Sequence, residues 1–230
     1  MRRAETALEC LDRPVPAADR NASLADIDRL NHWFGGYALT LKAVWRVAAR
    51  VPADRPLLVI DVGGGRGDFA RRLLRDASRR GRAVRVVVLD RDADLLALAS
   101  RGAHPNLTVV RAEATALPLR EGSADVVTMS LTLHHLPADA AATSLAEMRA
   151  VARLGVVIND LLRAPLSFVL VWVATRLIAR HRFSRYDGPL SVRRAYAPDE
   201  ICTLAEKAGV PGPRIERHPG LGRLLVVIES

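Results

Sequence analysis

Residues 57–69 read LLVIDVGGGRGDF. The unbroken apolar run suits a strand covered on both faces. Glycines at 63, 65 and 67 then admit a tight turn with positive φ and let a ligand approach the backbone closely. Asp68 opens a helix behind the turn, and the free N–H groups and dipole of a helix N-terminus favour an anionic group. A strand, a glycine turn and a helix in this order commit the chain to a parallel α/β sheet.

The rest of the sequence continues that alternation. Strands are predicted at Leu57–Val62, Val84–Leu89, Leu107–Arg111, Asp125–Leu131, Val156–Asn159, Arg214–His218 and Leu224–Ile228. Helices are predicted at Asp68–Arg80, Asp92–Arg101, Asp139–Val151 and Pro198–Ala208, each opening on Asp or Pro as a helix start should. The expected fold is therefore a Rossmann-like, seven-stranded, mostly parallel sheet with helices on both faces. Residues 1–50 read as an N-terminal helical cap, with helices Leu24–Trp33 and Tyr37–Arg50 parted by Phe34-Gly35-Gly36. Residues 51–230 form the core, interrupted at 163–196 by a lid insertion. Within the lid an apolar helix precedes an expected loop, His181–Pro189.

The glycine turn alone has a competitor, the dinucleotide fingerprint GxGxxG. Starting that register at Gly63 puts Asp68 where its last glycine belongs, and starting at Gly65 leaves Ala70 there. The arrangement Asp61-x-Gly63-x-Gly65-x-Gly67 instead resembles motif I of class I S-adenosylmethionine-dependent methyltransferases. Three more segments agree in order. VVVLDR at 86–91 ends in Asp90, whose carboxylate suits a pair of ribose hydroxyls. AEATALPL at 112–119 looks like the family's D-A-x-x-L-P segment, with Glu113 in the position of its aspartate. DVVTMSLTLHHLP at 125–137 resembles the L-H-H-x-P end of the fourth strand in small-molecule members. A narrower likeness, in Asn159–Arg163, Asp187–Ser191 and Ala195-Tyr196, is to bacterial methyltransferases associated with type III polyketide synthases. The chain departs from the wider family before strand five, where the usual Pro-Gly-Gly turn is shortened to Arg153-Leu154-Gly155.

The resemblance implies S-adenosylmethionine as cofactor, held by Asp61, Gly63, Gly65, Gly67, Asp90, Arg91, Glu113, Ala114 and Ser130. It implies a methyl acceptor that is small and hydrophobic or aromatic, methylated most readily at oxygen. Such a hydroxyl needs a base, and an imidazole with a pKa near ~6.5 suits that task. His135 and His134 are the candidates, His135 ahead, with Asp160 brought to the same sheet edge by adjacent strands four and five. Trp172, Arg185 and Tyr186 of the lid are the expected acceptor contacts, and His32, Trp33 and Phe34 of the cap are expected to pack in the core or, as the second reading, to close over the cofactor. No metal is expected.

Composition narrows the alternatives. Cys10 and Cys202 cannot build a disulfide framework or a four-thiolate zinc site. The arginine-rich N-terminus lacks an apolar h-region, so a cytoplasmic protein is expected. The net charge of +9 by itself slightly favours a nucleic-acid partner, but basic residues are spread along the chain and no RNA-binding signature is present, so a basic solvated surface is the preferred reading. An RNA methyltransferase would keep the chemistry, but the N/D-P-P-[YF] motif is missing after strand four. A nicotinamide oxidoreductase and a non-catalytic binder of S-adenosylmethionine are the remaining alternatives. The apolar stretch Ala164–Thr175 is too short for the ~18–20 residues a bilayer span needs, leaving a buried helix or one in peripheral contact with a membrane. The oligomeric state is not legible.

Overall fold

The computed structural model of the chain describes residues 1–101 and 104–229. The sheet contains β1 (Leu57–Val62), β2 (Val84–Asp90), β3 (Leu107–Arg111), β4 (Ala124–Ser130), β5 (Ala152–Leu161), β6 (Arg214–His218) and β7 (Arg223–Glu229). Their order is β3-β2-β1-β4-β5-β7-β6, with β7 antiparallel to both neighbours and the other pairings around β1 parallel. The order reverses between β2 and β4 on either side of β1, the place where open α/β sheets bind ligands.

The helices are α1 (Ala17–Trp33), α2 (Gly36–Ala48), α3 (Asp68–Arg79), α4 (Ala93–Ser100), α5 (Ala138–Val151), α6 (Pro165–Leu177), α7 (Arg182–Arg194) and α8 (Pro198–Lys207). Strand alternation sorts the core into two layers. Leu57 and Val59 of β1 face α2 and α3, where Val44, Val47, Phe69 and Leu73 are buried. Ile60 and Val62 face the opposite layer with Leu145, Met148, Ile201 and Leu204 of α5 and α8. The expected second helix of the cap thus supplies part of the sheet's own core. Asn159 anchors it there, donating from Nδ2 to the Gly36 carbonyl and to Thr40 Oγ1, both at 2.8 Å.

Two local expectations are corrected. No loop precedes strand five: α5 ends at Val151 and β5 starts at Ala152, a register shift between Ala124 and Val126 absorbing the change. The expected loop at 181–189 is the first half of α7. Pro189 lies inside that helix and cannot donate to the carbonyl of Arg185. The guanidinium of Arg176 in α6 does so instead, at 2.8 Å. Gly188 lets the two helices touch, since a Cβ there would meet Thr175 Cγ2 at 2.6 Å. A helix carrying Gly-Pro thus persists because its neighbour satisfies the freed carbonyl and fills the space of the missing side chain.

Candidate functional site

A cavity of about 590 Å³ opens at the carboxyl ends of β1, β2, β4 and β5. One end is the glycine turn. Gly63, Gly65 and Gly67 all have positive φ, at 66°, 54° and 73°. At Gly63 a Cβ would also lie 2.5 Å from Thr132 Cγ2, so both the angle and the space demand glycine. Gly67 does not reach the cavity; it is the left-handed residue preceding α3, and its N–H donates to the Gly64 carbonyl at 2.8 Å.

Asp61 stands under this turn, buried, accepting from Thr128 Oγ1 at 3.0 Å through Oδ1. Its Oδ2 has no hydrogen-bond partner, and burial pushes the carboxyl up to about 7. A Cβ on Gly64 would sit 2.6 Å from that oxygen, so the bare backbone at residue 64 keeps the carboxylate within reach of a ligand. Asp90 accepts from the Gly65 and Asp92 amides, each at 2.9 Å, leaving lone pairs on both oxygens. Burial raises its carboxyl, with the backbone donors working against that rise. Arg91, Glu113, Ala114 and Ser130 line the same end, Glu113 with an exposed side chain. An orphaned buried acceptor, a second acidic acceptor and a bare turn fit a donor carrying a cationic amino-acid part and ribose hydroxyls.

The other end gathers titratable side chains, Glu9, Asp12, His134 and His135. After β4 the chain passes through Leu131, the one described residue other than glycine with positive φ, at 51°. That turn delivers a short 3₁₀ turn, Leu133–His135, whose two histidines line the cavity. Asp160, near the end of β5, places Oδ1 2.6 Å from His134 Nδ1 and accepts the His134 backbone N–H through Oδ2 at 3.0 Å. Burial would raise the Asp160 carboxyl, yet the His134 ring and the hydrogen bonds together hold it below the ordinary carboxylate value. The expected pairing was with His135. That ring instead meets Asp12, Nδ1 to Oδ1 at 2.9 Å, because consecutive residues on a tight turn project differently. The two imidazoles lie 4.2 Å apart between centroids.

Sequence reasoning missed the N-terminal segment. Glu9 is buried with Oε1 lacking a hydrogen-bond partner, 3.7 Å from His134 Nε2, while its Oε2 is 3.9 Å from His135 Nε2. Burial lifts its carboxyl to about 7 despite the opposing pull of His135, Ser191 and Arg194. Arg194 pairs with Asp12 and lies 3.5 Å from Glu9 Oε1. The donor atoms of Glu9, His134 and His135 lie within 4.8 Å of one another, a spacing a metal ion could use where none was expected. Nothing in the first sixteen residues has a period that signals this; the segment is placed by contacts such as Cys10 N–H to Asp187 Oδ1 at 2.8 Å.

Helix α6 contributes other residues than those expected. Leu170, Val171, Ala174 and Thr175 of α6 face the cavity. Trp172, Arg185 and Tyr186 line a separate shallow groove on the outer side of α6 and α7. The reason is helical: Trp172 lies about 100° per residue around α6 from its cavity-facing neighbours. In the cap, Phe34 lines the cavity, whereas Trp33 is 72% exposed and His32 meets Arg72 at the surface.

Residues 59–155 match a family profile described as a methyltransferase domain. Curated relatives include ubiquinone/menaquinone biosynthesis C-methyltransferases UbiE. That of Allorhizobium ampelinum is 35% identical over 103 residues, 41% of this chain and 39% of the relative. That of Rhizobium meliloti is 31% identical over 106 residues, 42% of this chain and 40% of the relative. The chain therefore spans about two fifths of the length of these relatives. Among solved structures, an S-adenosylmethionine-dependent methyltransferase from Aquifex aeolicus superposes with a TM-score of 0.54 at 22% identity, over 75% of this chain and 81% of the other. The magnesium protoporphyrin IX methyltransferase of Synechocystis with bound SAH gives 0.56 at 15% identity, over 95% and 90%. These likenesses place the fold: the seven-stranded sheet is that of S-adenosylmethionine-dependent methyltransferases.

Proposed function

We propose that this chain, whose residues 59–155 match a methyltransferase-domain profile, uses S-adenosylmethionine to methylate a small hydroxylated aromatic or polyketide-like acceptor after His134 removes the hydroxyl proton. The observation that carries the reading is His134, in the wall of the cavity that also holds the glycine turn, backed by buried Asp160 at 2.6 Å.

The donor's sulfonium supplies a methyl group already activated for in-line attack. Asp61, Asp90, Glu113 and the Gly63–Gly65 backbone would hold that donor, the two glycines giving close backbone approach. Asp160 does chemical work through its neighbour. An ionised carboxylate only accepts, so His134 carries its proton on Nδ1 and keeps a lone pair on Nε2. That nitrogen takes the acceptor's hydroxyl proton; a bound donor would then supply the methyl group to the oxygen and leave as the neutral thioether. The imidazolium then lies against Asp160, which stabilises it. Leu131, Leu136, Leu161, Leu170 and Val171 surround the remaining space with apolar surface, suited to a ring or alkyl chain. Arg223, buried with Nη1 unpartnered and Nη2 donating to Asn31 at 2.6 Å, offers that space one cation for a carbonyl or phenolate oxygen. The narrower likeness to enzymes associated with type III polyketide synthases supports an alkylated phenol as the acceptor class.

The names of the curated relatives favour a second reading, methylation at carbon. A phenolate shares its charge with the ring carbons ortho to oxygen, so the same deprotonation serves either bond. Incubation with alkylresorcinols or hydroquinones and methyl-labelled S-adenosylmethionine separates the two, since carbon NMR distinguishes a methoxy from a ring methyl. His134→Ala should lose turnover and keep S-adenosylhomocysteine binding; a variant with full turnover overturns the base assignment.

A further inference from the structure

Helix α6 is amphipathic in the inverse sense. Its buried residues are Ser167, Ala174 and Thr175, small or polar. Its solvent face carries Leu166, Val169, Trp172, Val173 and Leu177, the last 79% exposed. Positions 166, 169, 173 and 177 recur at helical spacing, so they form one continuous stripe. A stripe of this size on a soluble surface marks a partner.

The surrounding charge says which. Between Leu161 and Pro198 the chain has seven arginines and one acid, Asp187. Asp187 is buried and accepts from the Cys10 amide, so it neutralises nothing outside. Arg176, Arg180, Arg182, Arg185 and Arg193 are exposed. The groove between α6 and α7 joins four of these arginines to Phe168, Trp172 and Tyr186. Arg176 lies over the Trp172 ring at 5.0 Å, an aromatic and a cation presented together. Among the described residues no helix is long and apolar enough to cross a membrane.

We infer that the outer face of α6 and α7 docks on the surface of an anionic phospholipid bilayer, the apolar stripe entering the headgroup boundary and the arginines meeting lipid phosphates. A second copy of the chain is a poorer occupant, because a two-fold contact would set one arginine cluster against the other. The same helix pair walls the cavity on its inner side through Leu170, Val171, Ala174 and Thr175. A membrane-dissolved acceptor would then enter next to the lipid, a consequence that rests on the proposed function; the docking itself does not.

The test is flotation of the full chain with phosphatidylcholine vesicles, with and without phosphatidylglycerol. Anionic vesicles should bind it and neutral ones should not, with binding falling as salt is raised. Arg182→Glu with Arg185→Glu should weaken binding at least about tenfold. Trp172→Ser with Leu177→Ser should do likewise and abolish the blue shift of tryptophan emission on vesicle addition. All these positions are exposed, and unchanged S-adenosylhomocysteine binding reports that the variants are folded. Wild-type protein that binds S-adenosylhomocysteine but ignores anionic vesicles overturns the inference. So does vesicle binding unaffected by either double substitution, or a stable dimer in sedimentation that the Trp172 and Leu177 changes dissolve.

Discussion

Asp160 holds His134 at two points, its Oδ1 lying 2.6 Å from the ring Nδ1 and its Oδ2 accepting the backbone N–H at 3.0 Å. One carboxylate therefore fixes both the ring and the turn that carries it. The register makes this possible, because β4 and β5 pair at Ser130 and Asn159, one residue before Asp160. Asp160→Asn should lower kcat by roughly 10²–10⁴-fold, since an amide can donate to Nδ1 and favour the wrong tautomer. S-adenosylhomocysteine affinity should stay unchanged. Two residues acting as one unit also predict that Asp160→Asn with His134→Ala is no slower than the worse single variant. Additive losses in steady-state kinetics would contradict a dyad.

Asp61 presents the reverse situation, a buried carboxylate with one oxygen unmatched. Burial raises its carboxyl from 3.8 to about 7 in the folded protein. The folded state thus binds a proton that the unfolded chain releases, so this residue makes stability fall as pH rises from about 4 to 7. Asp61→Asn should remove that slope and, at pH 8, stabilise the ligand-free protein by about 1–3 kcal/mol. It should also weaken S-adenosylhomocysteine binding at least about tenfold, a charge-assisted acceptor being worth that much. Urea midpoints at pH 5 and pH 8, with calorimetric titration, check both halves. Equal wild-type and variant midpoints at pH 8 would place the charge outside the energetics of folding.

The boundaries of β1, β3 and β6 were readable to the residue, because each apolar or alternating run is closed by Gly, Asp or Pro nearby. The acids at the ends of β1 and β2 were readable for the same reason: strand length sets where they emerge. What could not be read depends on contacts distant in sequence. LHHLP contains nothing that separates His134 from His135; the 3₁₀ turn after Leu131 decides which ring meets Asp160. Glu9 and Asp12 reach the site because the N-terminal segment is tied to α7, where Ala4 N–H donates to the Arg193 carbonyl at 2.9 Å. Helix α7 itself was hidden by Gly188-Pro189, whose local cost is offset by Arg176 and Thr175 of a different helix.

The Glu9–His134–His135 group could serve either as a proton relay or as a metal site, and the charge around it favours the relay. Arg194 already flanks Glu9 and pairs with Asp12, supplying a cation to that cluster. Turnover should therefore survive exhaustive dialysis against EDTA and gain nothing from added zinc, manganese or magnesium. Glu9→Gln, which keeps shape and removes charge, should shift the pH profile of kcat more than its maximum. Activity lost to EDTA and restored by one divalent ion, with that ion retained stoichiometrically, would assign the three residues to a metal instead.

Helices α6 and α7 pack closely at one contact. A Cβ on Gly188 would lie 2.6 Å from Thr175 Cγ2, so Gly188→Ala must push α7 away from α6 or twist Thr175 off its rotamer. Overpacking of this kind costs roughly 1–3 kcal/mol. Thr175 also donates through Oγ1 to the Trp172 carbonyl at 3.0 Å, a bond that serine can keep. Thr175→Ser removes only the offending methyl, so combining it with Gly188→Ala should restore most of the lost thermal stability. Both residues line the cavity, and the single Gly188→Ala variant should raise KM for the acceptor while leaving donor affinity unchanged. Thermal melts of the four proteins in the double-mutant cycle check the packing half. Purely additive changes would mean that α6 and α7 are not held together at this contact.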